Sequence, residues 1–213
     1  PWLTFDATIK VEHILEHRAI FPELAALGCA FVISAVEALS DTILEHLDKG
    51  HTRADVIAAL AILDGAGIPM RPSLLPFTPW TTLEDYLDLL AFFEERDLLD
   101  HVDPVHFSIR LLVPPGSSLL DRPDTATWLG PLDAAAFTYQ WRHPDPRLDE
   151  LQRAVAAVVE EGERDKVDPV VTFGEIKALA WTAGGLPAPL PRPGGGVLLA
   201  RRPVPGLTES WFC

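Results

Sequence analysis

Apolar positions recur along this chain in two rhythms, and the switches between them lay out an α/β order over its first two-thirds. Residues 4–11 are short and extended in character. Over 12–27 the apolar positions Ile14, Leu15, Ile20, Leu24 and Leu27 fall at a loose helical period. Residues 29–36 form a β-branched, nearly all-apolar run, the pattern of a strand buried on both faces. Ser40 opens a short helix to Leu47, which Gly50 ends. Thr52, with Asp55 three residues on, caps a second helix that carries Val56, Leu60 and Leu63 on one stripe until Gly65 and Gly67 break it. Residues 68–75 read as another strand. Thr81 or Thr82 then caps a helix to about Arg96, with Leu83, Tyr86, Leu87, Leu90 and Phe93 facing inward, and residues 104–113 read as a third buried strand ended by Pro114-Pro115-Gly116. One βα unit every ~37 residues is a plausible parallel crossover, so a barrel or an open α/β sheet is expected; periodicity does not separate the two.

Beyond Gly116 the rhythm changes. Residues 146–161 make an amphipathic helix and residues 172–182 a second, with Thr172 as the expected cap and Glu175 at the capping-box position. Residues 184–206 are rich in Pro and Gly, which reads as a linker or extended arm before a tail containing Trp211.

Composition narrows the picture. Hydrophobic residues are 48% and charged residues 23% of the 213, the balance of a chain that buries a core. A net charge of -14 repels phosphate backbones, so nucleic acid is not expected as a partner. No apolar run is long enough to span a bilayer, which points away from the membrane and to the cytoplasm. The two cysteines, Cys29 and Cys213, belong to no CxxC pair and build no disulfide framework; Cys29, inside an apolar stretch, reads as a small core residue.

His13, Glu16 and His17 match the inverted zinc-protease pattern H-x-x-E-H, but no third ligand is identifiable and a polar helix face explains the same residues. The glycines at 194–196 sit among prolines with no helix following, so they do not cradle a phosphate. More telling are polar residues set into the apolar strands: Ser34 and Glu37 in the first, Arg71 and Ser73 in the second, Ser108 and Arg110 in the third. Each alone could be a satisfied structural group. Three strands interrupted alike favour a shared polar interior, and with it a ligand site.

These residues carry a resemblance. Residues 33–41, followed by Lys49-Gly50-His51-Thr52, resemble the fourth strand and turn of radical S-adenosylmethionine (SAM) proteins. Arg71-Pro72-Ser73 through residues 79–85 resembles the fifth strand, and residues 110–117 the sixth. The tail, from Tyr139-Gln140-Trp141-Arg142-His143 to Glu209-Ser210-Trp211-Phe212-Cys213, is similar to a subgroup ending in Cys-Sec-Ala-Glu-Pro or Cys-Cys-Ala-Glu-Pro, which makes selenocysteine the expected residue after Cys213.

The resemblance implies an α/β fold: the later strands of a partial (β/α)6 barrel over residues 1–122, a helical extension over 123–185 and a Pro/Gly-rich arm and tail over 186–213. It implies an enzyme that reductively cleaves SAM at a [4Fe-4S] cluster to make a 5′-deoxyadenosyl radical, with a reductant protein and a small-molecule or peptide substrate as partners. The cluster-binding C-x-x-x-C-x-x-C loop is absent, so the chain is expected to be an inactive C-terminal fragment with no metal ligands of its own. By position, Ser34, Glu37, Arg71 and Ser73, and more weakly Lys10, correspond to cofactor contacts. Arg110 corresponds to a substrate-facing residue and Cys213 to a redox group in the tail. A non-catalytic α/β module that docks a protein partner is the alternative, and a zinc hydrolase built on His13, Glu16 and His17 a third reading.

Overall fold

Three short strands, β1 (Phe5–Thr8), β2 (Cys29–Glu37) and β3 (Met70–Leu74), pair in parallel in the order β1-β2-β3. The computed structural model describes residues 3–187 and 204–205. Between the strands run α1 (Val11–Glu16) with α2 (Phe21–Leu27), then α3 (Asp41–His46) with α4 (Arg53–Gly65); after β3 come α5 (Leu83–Glu95), α6 (Pro146–Asp165) and α7 (Pro169–Ala183).

Side chains alternate between the faces of a strand, so register decides which residues share a side. Val32, Val36, Met70 and Leu74 face the helices and join Ile14 of α1, Leu63 of α4 and Phe93 of α5 in one core. The same core takes Val155 of α6 and Ile176 of α7. Each large apolar side chain buried there contributes about 1.5–3 kcal/mol. Thr8, Ile33 and Arg71 share the opposite face with Asp6, Ala35 and Ser73, and all of these are half-buried or exposed. One face of the sheet is thus closed by helices and the other is open and partly polar.

Capping at α4 and α5 follows the sequence closely. Thr52 with Asp55 and Thr82 with Asp85 each form a reciprocal capping box. Thr81 is buried and bonds Thr78 instead.

Four expectations are corrected. Residues 12–27 are not one helix. Pro22 lies in the first turn of α2, where its missing N–H costs nothing but would have broken a continuous helix, and a 3₁₀ turn over Arg18–Ile20 separates α1 from α2. Phe21 is consequently buried while Leu27 and Ile20 are exposed.

Residues 104–113 are not a long strand. Pro104 opens a 3₁₀ turn to Phe107, and a single parallel bridge joins Arg110 to Phe77. The edge of β3 is closed by side chains: His101 Nδ1 donates to the Met70 carbonyl at 2.8 Å, and the Leu74 N–H donates to His106 Nδ1 at 3.4 Å. Two imidazoles stand where a neighbouring strand's backbone would.

Thr172 is not a helix cap. Asp168 caps α7 through the Val170 N–H, ahead of Pro169, and Thr172 is buried inside the helix. Its hydroxyl packs against Gly162 of α6: a Cβ placed on Gly162 would stand 2.7 Å from Thr172 Oγ1. Finally, the stretch expected as a helical extension opens with a hairpin, β4 (Leu129–Asp133) and β5 (Thr138–Trp141). It closes a second apolar cluster of Leu111, Val113, Trp128 and Trp141, with Trp80 and Leu75 packed against it. Most of the Pro/Gly-rich arm, with Trp211 and Cys213, lies outside the described residues.

Two predictions follow from this packing. Gly162→Ala should destabilise the fold by about 1–3 kcal/mol in urea titrations. Thr172→Ala in the same chain should restore part of that loss, because it removes the methyl and hydroxyl the new Cβ meets. The second prediction concerns His106, whose imidazole is pushed below its ordinary pKa of 6.5 first by burial. A depressed folded-state pKa gives stability that is present above pH 6.5 and lost as the pH falls through the folded value. Urea midpoints measured from pH 8 down to pH 5 should therefore fall less steeply for His106→Gln than for the natural chain.

Candidate functional site

Parallel α/β sheets place their ligand-binding residues at the carboxyl ends of the strands, and here that edge is built around one unusual backbone position. Glu37, the last residue of β2, has φ 63, a left-handed conformation that costs a side-chain-bearing residue about 1–3 kcal/mol. The chain doubles back there in a γ-turn, with the Ala38 N–H donating to the Val36 carbonyl at 2.8 Å.

The turn Lys49-Gly50-His51-Thr52 holds this kink. Lys49 pairs with the Glu37 carboxylate at 3.1 Å, and His51 Nε2 donates to the Val36 carbonyl at 3.3 Å. Leu75 donates its N–H to the Glu37 carbonyl at 2.8 Å, which ties the end of β3 to the same point. Gly50 has φ 69, a backbone that favours glycine, and it passes close to the Glu12 carboxylate, 3.0 Å from where a Cβ would stand. Glu12 in turn accepts from Lys10 at 3.2 Å, and that bond holds the Glu12 carboxyl below its usual range. The exits of β1, β2 and β3 are thereby joined into one rim.

On the open face below this rim, Arg71 is mostly covered, and its Nη2 donates to both carboxylate oxygens of Asp103, at 2.9 and 3.0 Å. Ser73 follows on the same face, beside the small Ala35. A carboxylate, a guanidinium and a hydroxyl around a floor of Ile33 and Ala35 can bind a polar, charged small molecule.

The structure is similar to solved structures of one enzyme, the cobalamin-dependent S-adenosylmethionine radical enzyme OxsB. With aqua-cobalamin bound, that structure matches at TM-score 0.65 and 12% identity over 84% of this chain; the apo form matches at 0.63 and 13% over 85%. The form with aqua-cobalamin and S-adenosylmethionine matches at 0.62 and 14% over 76%. The chain shares its fold with a radical SAM enzyme. It spans about a third of those chains, 35%, 34% and 29% respectively. No protein-family model matches the sequence, and no curated protein does.

Within this fold the sequence-predicted residues fall into separate groups. Glu37 and Lys10 both belong to the rim, linked through Lys49, Gly50 and Glu12. Arg71 and Ser73 share the open face. Ser34 does not join them: it pairs in register with Pro72 on the helix-facing side, fully buried, and its hydroxyl has no hydrogen-bond partner. Arg110 shares the helix-facing side with its bridge partner Phe77. Its guanidinium bonds Asp149 at 2.6 Å and the Trp141 carbonyl at 2.8 Å, and lies 3.5 Å from the centre of the Trp141 ring. It borders a separate pocket of about 690 Å³ between β5 and the start of α6. Ser108 is buried and bonds the Val105 carbonyl. Cys213 lies outside the described residues.

His13 and His17 are exposed and sit beside Glu12 and Glu16, and His17 already lies past the end of α1. Among the described residues no group of three His, Cys, Asp or Glu could hold a metal ion. Cys29 is buried, its thiol pushed up by burial and donating to the Phe31 carbonyl. No helix among the described residues is long and apolar enough to cross a membrane.

Residue-by-residue reading missed the aromatic cap over the rim. His46 stacks on Trp80 at 4.4 Å, Trp80 Nε1 donates to Asp124 at 3.0 Å, and Arg122 donates to the His46 carbonyl at 2.9 Å. Trp128 meets Trp80 edge-on at 5.7 Å. The signal was available: Trp80, Trp128 and Trp141 sit in stretches with no regular period, and large aromatics in apparent loops imply a second buried cluster.

The backbone at Glu37 yields a direct test. Glu37→Ala and Glu37→Gly both lose the Lys49 ion pair, but only glycine adopts the left-handed conformation freely. Glu37→Gly should therefore be the more stable of the two by about 1 kcal/mol, read from urea midpoints.

Proposed function

We propose that this chain supplies the later strands of a partial (β/α)6 barrel, over residues 1–122, in a longer radical SAM enzyme. In this reading residues 123–185 are a helical extension of that barrel and residues 186–213 an arm and tail. The observation that carries it is the one-sided sheet: sequential parallel strands, helices closing one face, and an open polar face leading to a rim of charged residues. The fold shared with OxsB supports the same reading.

The open face suits the cofactor's chemistry. Arg71 engages Asp103 through one nitrogen, so its Nε and Nη1 donors are free for a carboxylate such as that of the methionine moiety. Glu37 holds one cation, Lys49, and its remaining lone pairs can accept from an ammonium or a ribose hydroxyl. Ser73 and Lys10 are the further contacts on this wall. Ser34 lies behind the wall, against the helices, where it shapes β2 rather than reaching into the open face. Arg110 faces a substrate through the pocket beside α6 rather than across the sheet.

The described residues do not fit a [4Fe-4S] cluster, because Cys29 is buried and alone. Its three thiolate ligands then belong to another part of the polypeptide, and the chain alone is inactive. The activity this reading gives the intact enzyme is one-electron reductive cleavage of SAM to methionine and a 5′-deoxyadenosyl radical, with the electron delivered by a reductant protein.

The test is anaerobic reconstitution of the full-length gene product with iron and sulfide, followed by calorimetric titration with SAM. Glu37→Gln and Arg71→Met should each weaken binding about tenfold, equivalent to about 1.4 kcal/mol. Unchanged affinity in both would overturn the assignment of this wall. A full-length protein that lacks a three-cysteine loop and binds no SAM would favour a non-catalytic, protein-docking α/β module instead.

A further inference from the structure

At the edge of the sheet opposite the Glu37 rim, a groove of about 610 Å³ runs between α4, the approach to β3 and the turn after α5. Its floor is apolar, made by Ile57, Leu60, Ile68, Met70 and Leu98. Asp64 and Asp97 stand along it, both exposed, and neither carboxylate has a cationic partner among the described residues. The one arginine in the groove, Arg96, is laid over the Phe92 ring at 4.7 Å. Val204, from the far end of the chain, lines the same groove.

The segment around Val204 is built to be such an occupant. Pro203 and Pro205 flank the valine, and a residue before proline is held to extended backbone, so the segment loses little entropy on docking. Residues 188–213 carry Arg192, Arg201 and Arg202 against the single acid Glu209, in a chain whose net charge is -14. An apolar residue between prolines, preceded by a basic pair, complements an apolar floor edged with two unpaired carboxylates.

We propose that this groove is an intramolecular docking site for the chain's own C-terminal segment. Val204 seats on the apolar floor, and the basic pair Arg201 and Arg202 is drawn to Asp64 and Asp97. The segment thereby anchors the tail at the amino edge of the sheet, away from the rim. The inference stands apart from the cofactor assignment, since none of these residues belongs to the open face.

Limited trypsin digestion of the whole protein, read by mass spectrometry at the Arg201–Arg202 bond, tests it together with hydrogen–deuterium exchange over residues 64–70. Val204→Asp should speed cleavage at least about fivefold and raise exchange in the groove. The pair Asp64→Lys and Asp97→Lys should raise exchange in the same way, and adding Arg201→Glu and Arg202→Glu should reverse that effect. Asp64, Asp97 and Val204 lie outside the buried core, and an unchanged melting temperature of the whole chain confirms that the body is folded. Cleavage and exchange unmoved by Val204→Asp would overturn the proposal. So would protection that grows with protein concentration, which would make a second copy the occupant.

Discussion

The left-handed turn at Glu37 is the constraint on which the organisation of the rim depends. A side-chain-bearing residue holds that conformation only when its surroundings over-determine it. Here the Val36 carbonyl receives both the Ala38 N–H and His51 Nε2, the Glu37 carbonyl receives Leu75, and the carboxylate receives Lys49. The turn therefore fixes three things together: where β2 stops, where β3 leaves the sheet, and how the loop before α4 crosses over. Thr52 then starts α4 from a position already set by its neighbour His51. Local strain is spread over an arrangement in which each partner is itself held in place.

The second organising fact is the asymmetry of the sheet. Helices press on one face only, so residues one position apart on the same strand live in different media. Ser34 and Ala35 are adjacent, yet Ser34 is wholly buried with its hydroxyl unpartnered while Ala35 borders the open face. An unpartnered buried hydroxyl is unfavourable by about 1–3 kcal/mol. Its small volume nevertheless suits the tight stacking between β2 and the helix layer.

The contrast explains what was legible in the sequence. The strands at β2 and β3 and the caps at Thr52 and Thr82 rest on local patterns, so they were readable from a few neighbouring residues. That polar residues mark the carboxyl ends of the strands was also readable. Which face each residue takes was not, because face depends on register and on the bulge early in β2, and both are set by pairing at a distance. The long strand expected at 104–113 failed for a related reason: apolar, β-branched content signals burial, and burial was supplied by a 3₁₀ turn with two imidazoles at the sheet edge. Thr172 failed because Asp168 and Pro169, a stronger starting pair, lay just upstream, and Thr172 is buried inside the helix against Gly162.

Those imidazoles have a consequence for how the sheet can grow. A bare edge strand offers alternating donors and acceptors to any extended segment, whether of the same polypeptide or another. Along β3 the Met70 carbonyl and the Leu74 N–H are already engaged by His101 and His106, on a loop that also carries Asp103 to Arg71. Among the described residues β1, by contrast, pairs with β2 alone. The sheet thus has one sealed margin and one receptive margin. In this three-stranded sheet a further strand would find unpaired backbone beside Phe5–Thr8 rather than beside β3.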